Sequence, residues 1–157
     1  MTREEKFMLE AISIGVEGMR NNTGGPFGCV IVKNDEIIGR GCNSVIATND
    51  PTAHAEIVAI RNACKNLQSF QLHDCEVYTT CEPCPMCMGA LYWARPKKIY
   101  YANSRTDAAN VGFDDADIYE QLVLPVEQRK IAMQCVPCDE ATQMFEEWRK
   151  MNNKTPY

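Results

Sequence analysis

Two short stretches, His54-Ala55-Glu56 and Cys81-Glu82-Pro83-Cys84-Pro85-Met86-Cys87, limit the folds open to this chain more than any other feature. They supply one imidazole and two thiolates, the donor types of a zinc site, about thirty residues apart. Three protein ligands leave one coordination position open, and an open position marks an ion that does chemistry. A fold for this sequence must therefore bring two separate segments to one point. Asp50-Pro51 reads as a helix N-cap followed by proline at the first helical position, with Ile57, Ile60, Cys64 and Leu67 recurring at helical spacing; that puts His54 in the first turns of a helix. Pro83 and Pro85 break the chain after a strand, and Met86 to Leu91 continue as an apolar helix whose first turn presents Cys84 and Cys87 on one face. Two helix N-termini then converge on one ion, where free N–H groups and the positive dipole end favour thiolate over thiol.

Charge gives Glu56 a role. Two thiolates and a neutral imidazole cancel the charge of the ion, so bound water is acidified less than beside three histidines and needs a base nearby. Glu56 can accept that proton and deliver it to a ring nitrogen of an aromatic amidine. Cys81 is a rival fourth ligand that would close the site as a structural Cys₃His zinc, but Pro83 fixes the exit from the strand and Glu56 would then have no task.

The 157 residues suit one domain, 1–157, and 45% hydrophobic content is ordinary for a packed core. Sixteen Lys and Arg against 21 Asp and Glu give a charge of −5 with no basic run, which disfavours a nucleic-acid substrate. The charged start, Met1 to Lys6, is unlike a signal peptide and no apolar run spans a bilayer, so no membrane partner and a cytoplasmic location are expected. Nine cysteines, an odd number, argue against a disulfide framework; Cys29, Cys42, Cys64 and Cys75 read as core fillers, and Cys135-Val136-Pro137-Cys138 is a second C-x-x-C without a nearby histidine.

In chain order, Thr2-x-x-Glu5 resembles a capping box, followed by Met8, Ile12, Val16 and Met19 at helical intervals. Gly28–Val32 and Glu36–Gly39 flank Asn34-Asp35 as a hairpin. Three further strands are expected at Cys75–Thr79, Lys98–Tyr101 and Lys130–Cys135, separated by helical stretches that favour parallel crossovers. A last helix carries Met144, Phe145, Trp148 and Met151 on one face, and Tyr92-Trp93 reads as core packing. The expectation is an α/β protein with helices on both faces of one sheet.

Pro26-Phe27-Gly28, Asn43, His54-Ala55-Glu56 and the P-C-x-x-C segment together resemble the zinc-dependent cytidine deaminase superfamily over about the first hundred residues. Tyr92-Trp93-Ala94-Arg95-Pro96, Thr106-Asp107-Ala108-Ala109, Gly112-Phe113-Asp114-Asp115 and a terminal tyrosine extend the likeness to the bacterial guanine deaminases over nearly the whole chain. That resemblance implies a three-layer α/β/α cytidine-deaminase-like fold around a central mixed five-stranded sheet. It implies one zinc per subunit on His54, Cys84 and Cys87, and conversion of guanine and water to xanthine and ammonia. In the implied reaction zinc-bound hydroxide attacks C2, with Glu56 as proton shuttle and Asp115 a second carboxylate near the departing amino group. Phe27 and Asn43 hold the small-molecule purine base. A homodimer exchanges its C-terminal segments, about 139–157, so that Tyr157 closes the neighbouring subunit's site. The ending Lys154-Thr155-Pro156-Tyr157 departs from the charged tail of that family, and Asp114 or Asp115 could instead simply cap the helix beginning at Ala116. A nucleoside such as guanosine or cytidine, or adenosine in tRNA, is the alternative substrate within the superfamily, and a non-catalytic zinc module the alternative outside it.

Overall fold

In the computed structural model, which describes residues 1–157, the capping box at Thr2 forms: Glu5 N donates to Thr2 Oγ1 (3.1 Å) and Thr2 N to Glu5 Oε2 (2.7 Å). Helix α1 runs Arg3–Arg20. Its buried face is Phe7, Ala11, Gly15 and Gly18, one position away from the stripe that hydrophobic periodicity marks, and Ile12 and Met19 are exposed. Close approach explains the offset. A Cβ on Gly28 would lie 2.0 Å from the Ala11 carbonyl oxygen, so only small residues let the helix backbone rest on the first strand, and the long side chains flank that contact.

Strands β1 (Gly28–Lys33) and β2 (Glu36–Cys42) form the expected hairpin, its turn made by Asn34 and Asp35 at φ 50° and 66°, the two left-handed residues of a type I′ turn. Next come α2 (Val45–Thr48) and α3 (Ala55–Leu67). Strand β3 (Glu76–Cys81), helix α4 (Pro85–Ala94) and strand β4 (Lys98–Asn103) form a β-α-β unit with the strands parallel. The sheet order is β2-β1-β3-β4, with β1 antiparallel to both neighbours. The mixed sheet therefore has four strands, not five. Lys130–Cys135 adopts no strand, and Ile131 and Met133 are exposed. Alternating β-formers become a strand only against a neighbour, and this segment has no ladder partner.

Each sheet face carries helices. Cys29, Ile31 and Val77 pack on Ala55, Ala59 and Ala63 of α3 and on Leu91 and Ala94 of α4; Val30, Val32 and Tyr78 pack on Phe7 and Ala11 of α1. The result is three layers, α/β/α. Along β2 the fit is tightest: a Cβ on Gly39 would meet Ala63 Cβ at 2.7 Å, and one on Gly41 would meet the Ala55 carbonyl oxygen at 2.3 Å. The Ala55/Ala59/Ala63 stripe and these glycines hold α3 at backbone contact with β2.

Tyr92 and Trp93 are not core residues. Leu91 and Ala94 face the core, while Tyr92 and Trp93 are 77% and 63% exposed, because α4 is apolar all round and only one side of it meets the sheet. Helices α5 (Arg105–Asn110), α6 (Ala116–Val123) and α7 (Asp139–Lys150) complete the chain, with a 3-10 turn at Val126–Gln128. The chain divides into two compact units, Met1–Ala116 and Asp117–Tyr157. In the second, Arg129 donates to the carbonyls of Leu122 and Leu124, Lys130 pairs with Asp117, and Met144, Phe145 and Trp148 of α7 are exposed. No helix is long and apolar enough to cross a membrane, and all nine cysteines are unpaired.

Candidate active site

Helix α3 does not start at Pro51. Asp50 Oδ1 accepts from Thr52 N (2.8 Å) and Thr52 Oγ1 (2.7 Å), a turn that occupies the carboxylate before the helix begins. The N-cap is His54 itself, with φ −67° and ψ 157°. Cys84 is likewise the N-cap of α4, at φ −66° and ψ 169°, followed by Pro85 in the first turn. An N-cap side chain ordinarily accepts from its own helix. Neither of these does, and instead the two side chains meet between the helix starts.

His54 Nδ1 lies 3.6 Å from Cys84 Sγ and 3.6 Å from Cys87 Sγ, and all three donor atoms fall within 4.8 Å of one another. A tetrahedral zinc with bonds of about 2.3 Å to sulfur and 2.0–2.1 Å to nitrogen separates those donors by about 3.5 Å, so the donor set fits zinc. The Cys87 thiol and then His54 hold Cys84 down to about 4, against burial; Cys84 and then burial push Cys87 up. Both sulfurs must be thiolates to hold a divalent cation, so binding one would release any thiol proton held there. The bond to Cys84 raises His54 above its ordinary value. Cys81 is outside this group: its thiol donates to the Ser104 carbonyl oxygen (3.6 Å), so the closed four-ligand arrangement does not form.

Glu56 sits in the first turn of α3 and is 6% exposed. Thr79 of β3 donates to its Oε1 (3.1 Å) and Cys87 to its Oε2 (3.4 Å), while burial raises the carboxyl above its ordinary range. This is a carboxylate beside three metal donors and shielded from bulk water, which suits proton transfer.

The other predicted site residues of the first unit are Phe27, Asn43 and Asp115. Asn43 N donates to the Phe27 carbonyl (3.0 Å), linking the start of β1 to the end of β2. Asn43 Oδ1 accepts from Val45 N (3.2 Å), so the amide offers its Nδ2 donor rather than both groups. The Phe27 ring meets Phe113 edge to face, centroids 4.9 Å apart. Asp114 Oδ1 accepts from Ala116 N (2.9 Å), a turn that leads into α6. Asp115 is half-buried; burial raises its carboxyl, Cys84 adds to the rise and Arg105 opposes it. Tyr157 ends the second unit and is exposed. Sequence reasoning passed over Thr79 and Phe113. Thr79 had a signal, a hydroxyl two residues after Val77 on the face that otherwise carries apolar side chains.

Fold and cluster together define a zinc-binding centre of hydrolytic type: His54, Cys84 and Cys87 would hold the ion, and three protein donors would leave room for a water beside the buried Glu56. The profile of the cytidine and deoxycytidylate deaminase zinc-binding region matches residues 1–103, and the chain belongs to that family. It is 52% identical over 153 residues to guanine deaminase from Bacillus subtilis (strain 168), 98% of each chain. The X-ray structure of guanine deaminase from Bacillus subtilis superposes with a TM-score of 0.95 over 98% of each chain, again at 52% identity. The tRNA-specific adenosine deaminase of Aquifex aeolicus (strain VF5) is 37% identical over 82% of this chain and 83% of its own.

Proposed function

We propose that this protein hydrolyses guanine to xanthine and ammonia, with one zinc ion per subunit. The observation that carries the reading is the buried Glu56 beside the His54/Cys84/Cys87 triangle, in a chain alike over 98% of its length to a guanine deaminase. When bound, zinc supplies the Lewis acidity that lets water act as a nucleophile near neutral pH. Everything else falls to the protein. Glu56 takes a proton from water and returns it to a ring nitrogen of the purine, so that C2 gains the hydroxyl oxygen as its C–N bond to the amino group weakens. Asp115 accepts hydrogen bonds from N1–H and the 2-amino group, then takes the proton of the new C2 hydroxyl and delivers it to the amino group, which leaves as ammonia. Asn43 Nδ2 donates to an acceptor on the purine edge, which guanine offers at O6 and N7, and Phe27 lies against the ring. Atoms balance: one water enters, one ammonia leaves, and the 2-amino carbon becomes a carbonyl.

The acidic charge of −5 and the lack of a basic run count against a tRNA substrate, whose phosphates call for a cationic surface. The exposed Tyr92 and Trp93 of α4, the exposed outer half of β4 and the apolar stripe of α7 are surfaces that suit a second copy of this chain. In that homodimer, 1–157 acts as one deaminase domain whose C-terminal segment, about 139–157, is exchanged, and Tyr157 closes the partner's site. Nine unpaired thiols suit a reducing cytoplasm. The test is incubation of zinc-loaded protein with guanine: xanthine and ammonia in equal amounts support the reading, and unchanged guanine defeats it.

A further inference from the structure

Thr79 is the one hydroxyl that the fold aims at the proton-carrying carboxylate. The α3-facing side of the sheet carries Cys29, Ile31 and Val77, and Thr79 follows Val77 on that side of β3. A hydroxyl buried among such neighbours, 1% exposed, is costly unless it is hydrogen-bonded. Its bond is to Glu56 Oε1 at 3.1 Å, across 23 residues of sequence, between β3, which pairs with a strand on each side, and α3, which rests at backbone contact on β2. The other carboxylate oxygen, Oε2, lies 3.4 Å from Cys87 Sγ, on the side of the metal donors. A Cys87 that ligates zinc is a thiolate and has no proton to donate, which leaves the Thr79 hydroxyl as the side-chain donor to Glu56.

We propose that Thr79 is a positioning residue for the deamination: its hydroxyl anchors Glu56 Oε1, fixing the carboxylate so that Oε2 faces the open coordination position and the substrate. Thr79 touches neither the ion nor the purine. Its effect runs through Glu56 and falls on turnover, not on substrate binding or zinc retention. This inference rests on the role proposed for Glu56, and Glu56→Gln separates the two: full activity in that variant removes the role itself, whatever Thr79 does.

Thr79→Val preserves the branched shape and removes the hydroxyl, whereas Thr79→Ser keeps the hydroxyl and loses a methyl. Thr79→Ala serves if the valine variant does not fold. The zinc-loaded proteins are compared by kcat, KM, zinc content, chelator competition for zinc, and thermal melting. Loss of a hydrogen bond to a charged group predicts a kcat about 10- to 100-fold lower in Thr79→Val. KM should stay within about twofold, and zinc content and affinity should be unchanged. Thr79→Ser should recover to within about threefold of the parent. In the Glu56→Gln background Thr79→Val should cost nothing further, since the group it positions is already gone. Parental kcat in Thr79→Val with Glu56→Gln inactive overturns the proposal. So does a loss that serine fails to rescue, one that tracks zinc affinity, or one that persists at full size in the Glu56→Gln background.

Discussion

Gly41→Ala places one methyl group at the point where β2 supports the start of α3. The new Cβ would lie 2.3 Å from the Ala55 carbonyl oxygen, 2.6 Å from Ala59 N and 3.0 Å from Val58 Cβ. The first separation is more than about 1 Å inside ordinary van der Waals contact, and its partner is backbone, so no rotamer change relieves it. Helix and strand must part. Overpacking of a tight contact costs about 1–3 kcal/mol, and a clash with backbone belongs near the top of that range. For a chain of this size about 3 kcal/mol lowers the melting temperature by about 6–12 °C. Ala55 lies between His54 and Glu56, so the same displacement moves a zinc donor and the proton carrier together. A shift of about 1 Å at a reacting geometry predicts a turnover about 100-fold lower. Scanning calorimetry and guanine turnover on the zinc-loaded variant measure both. Gly89→Ala is the control, because a Cβ there has nothing within 4 Å, and it should melt at or slightly above the parent temperature. A Gly41→Ala protein with parental melting and turnover would refute the claim that β2 holds the site through backbone contact.

Cys84→Ala removes a donor and leaves the other two, so bound zinc should fall well below one per chain by metal analysis, with melting lowered by about 10 °C as binding free energy is lost from the folded state. Full zinc content would remove Cys84 from the ligand set. Deleting residues 154–157 should lower guanine turnover at least about tenfold in a protein that sediments as a dimer, as expected of a residue that closes the site over the purine. Unchanged kinetics would return Tyr157 to an ordinary terminus, and a parent that sediments as a monomer would remove the exchange.

The metal site was legible in the sequence because its parts are local. H-x-E and P-C-x-x-C each sit where a helix begins, and the two starts meet as their spacing requires. Less legible was where α3 begins, since Asp50 fits an N-cap and a turn equally well and only the bonds to Thr52 decide between them. The face of α1 was misread by hydrophobicity because the true contact runs through Gly15 and Gly28, residues that carry no hydrophobic signal and act by allowing close approach. Lys130–Cys135 has the alternation of a strand, but pairing depends on a neighbour that local composition does not specify. Tyr92 and Trp93 read as core for a related reason, yet are exposed: an all-round apolar helix does not say which of its sides meets the sheet. Asp114 and Asp115 are indistinguishable by residue type, and only the folded chain shows that Asp114 is the one that accepts from Ala116 N.

Ammonia release by zinc-loaded protein, offered guanine, guanosine, adenine, cytosine and cytidine separately, with Glu56→Ala as the blank, tests the central claim most directly. The account predicts release from guanine, matched by xanthine, and a rate lower by about 10²–10⁴ in a blank that still holds its zinc. Release from a nucleoside instead of guanine, or equal release from the Glu56→Ala protein, would contradict it.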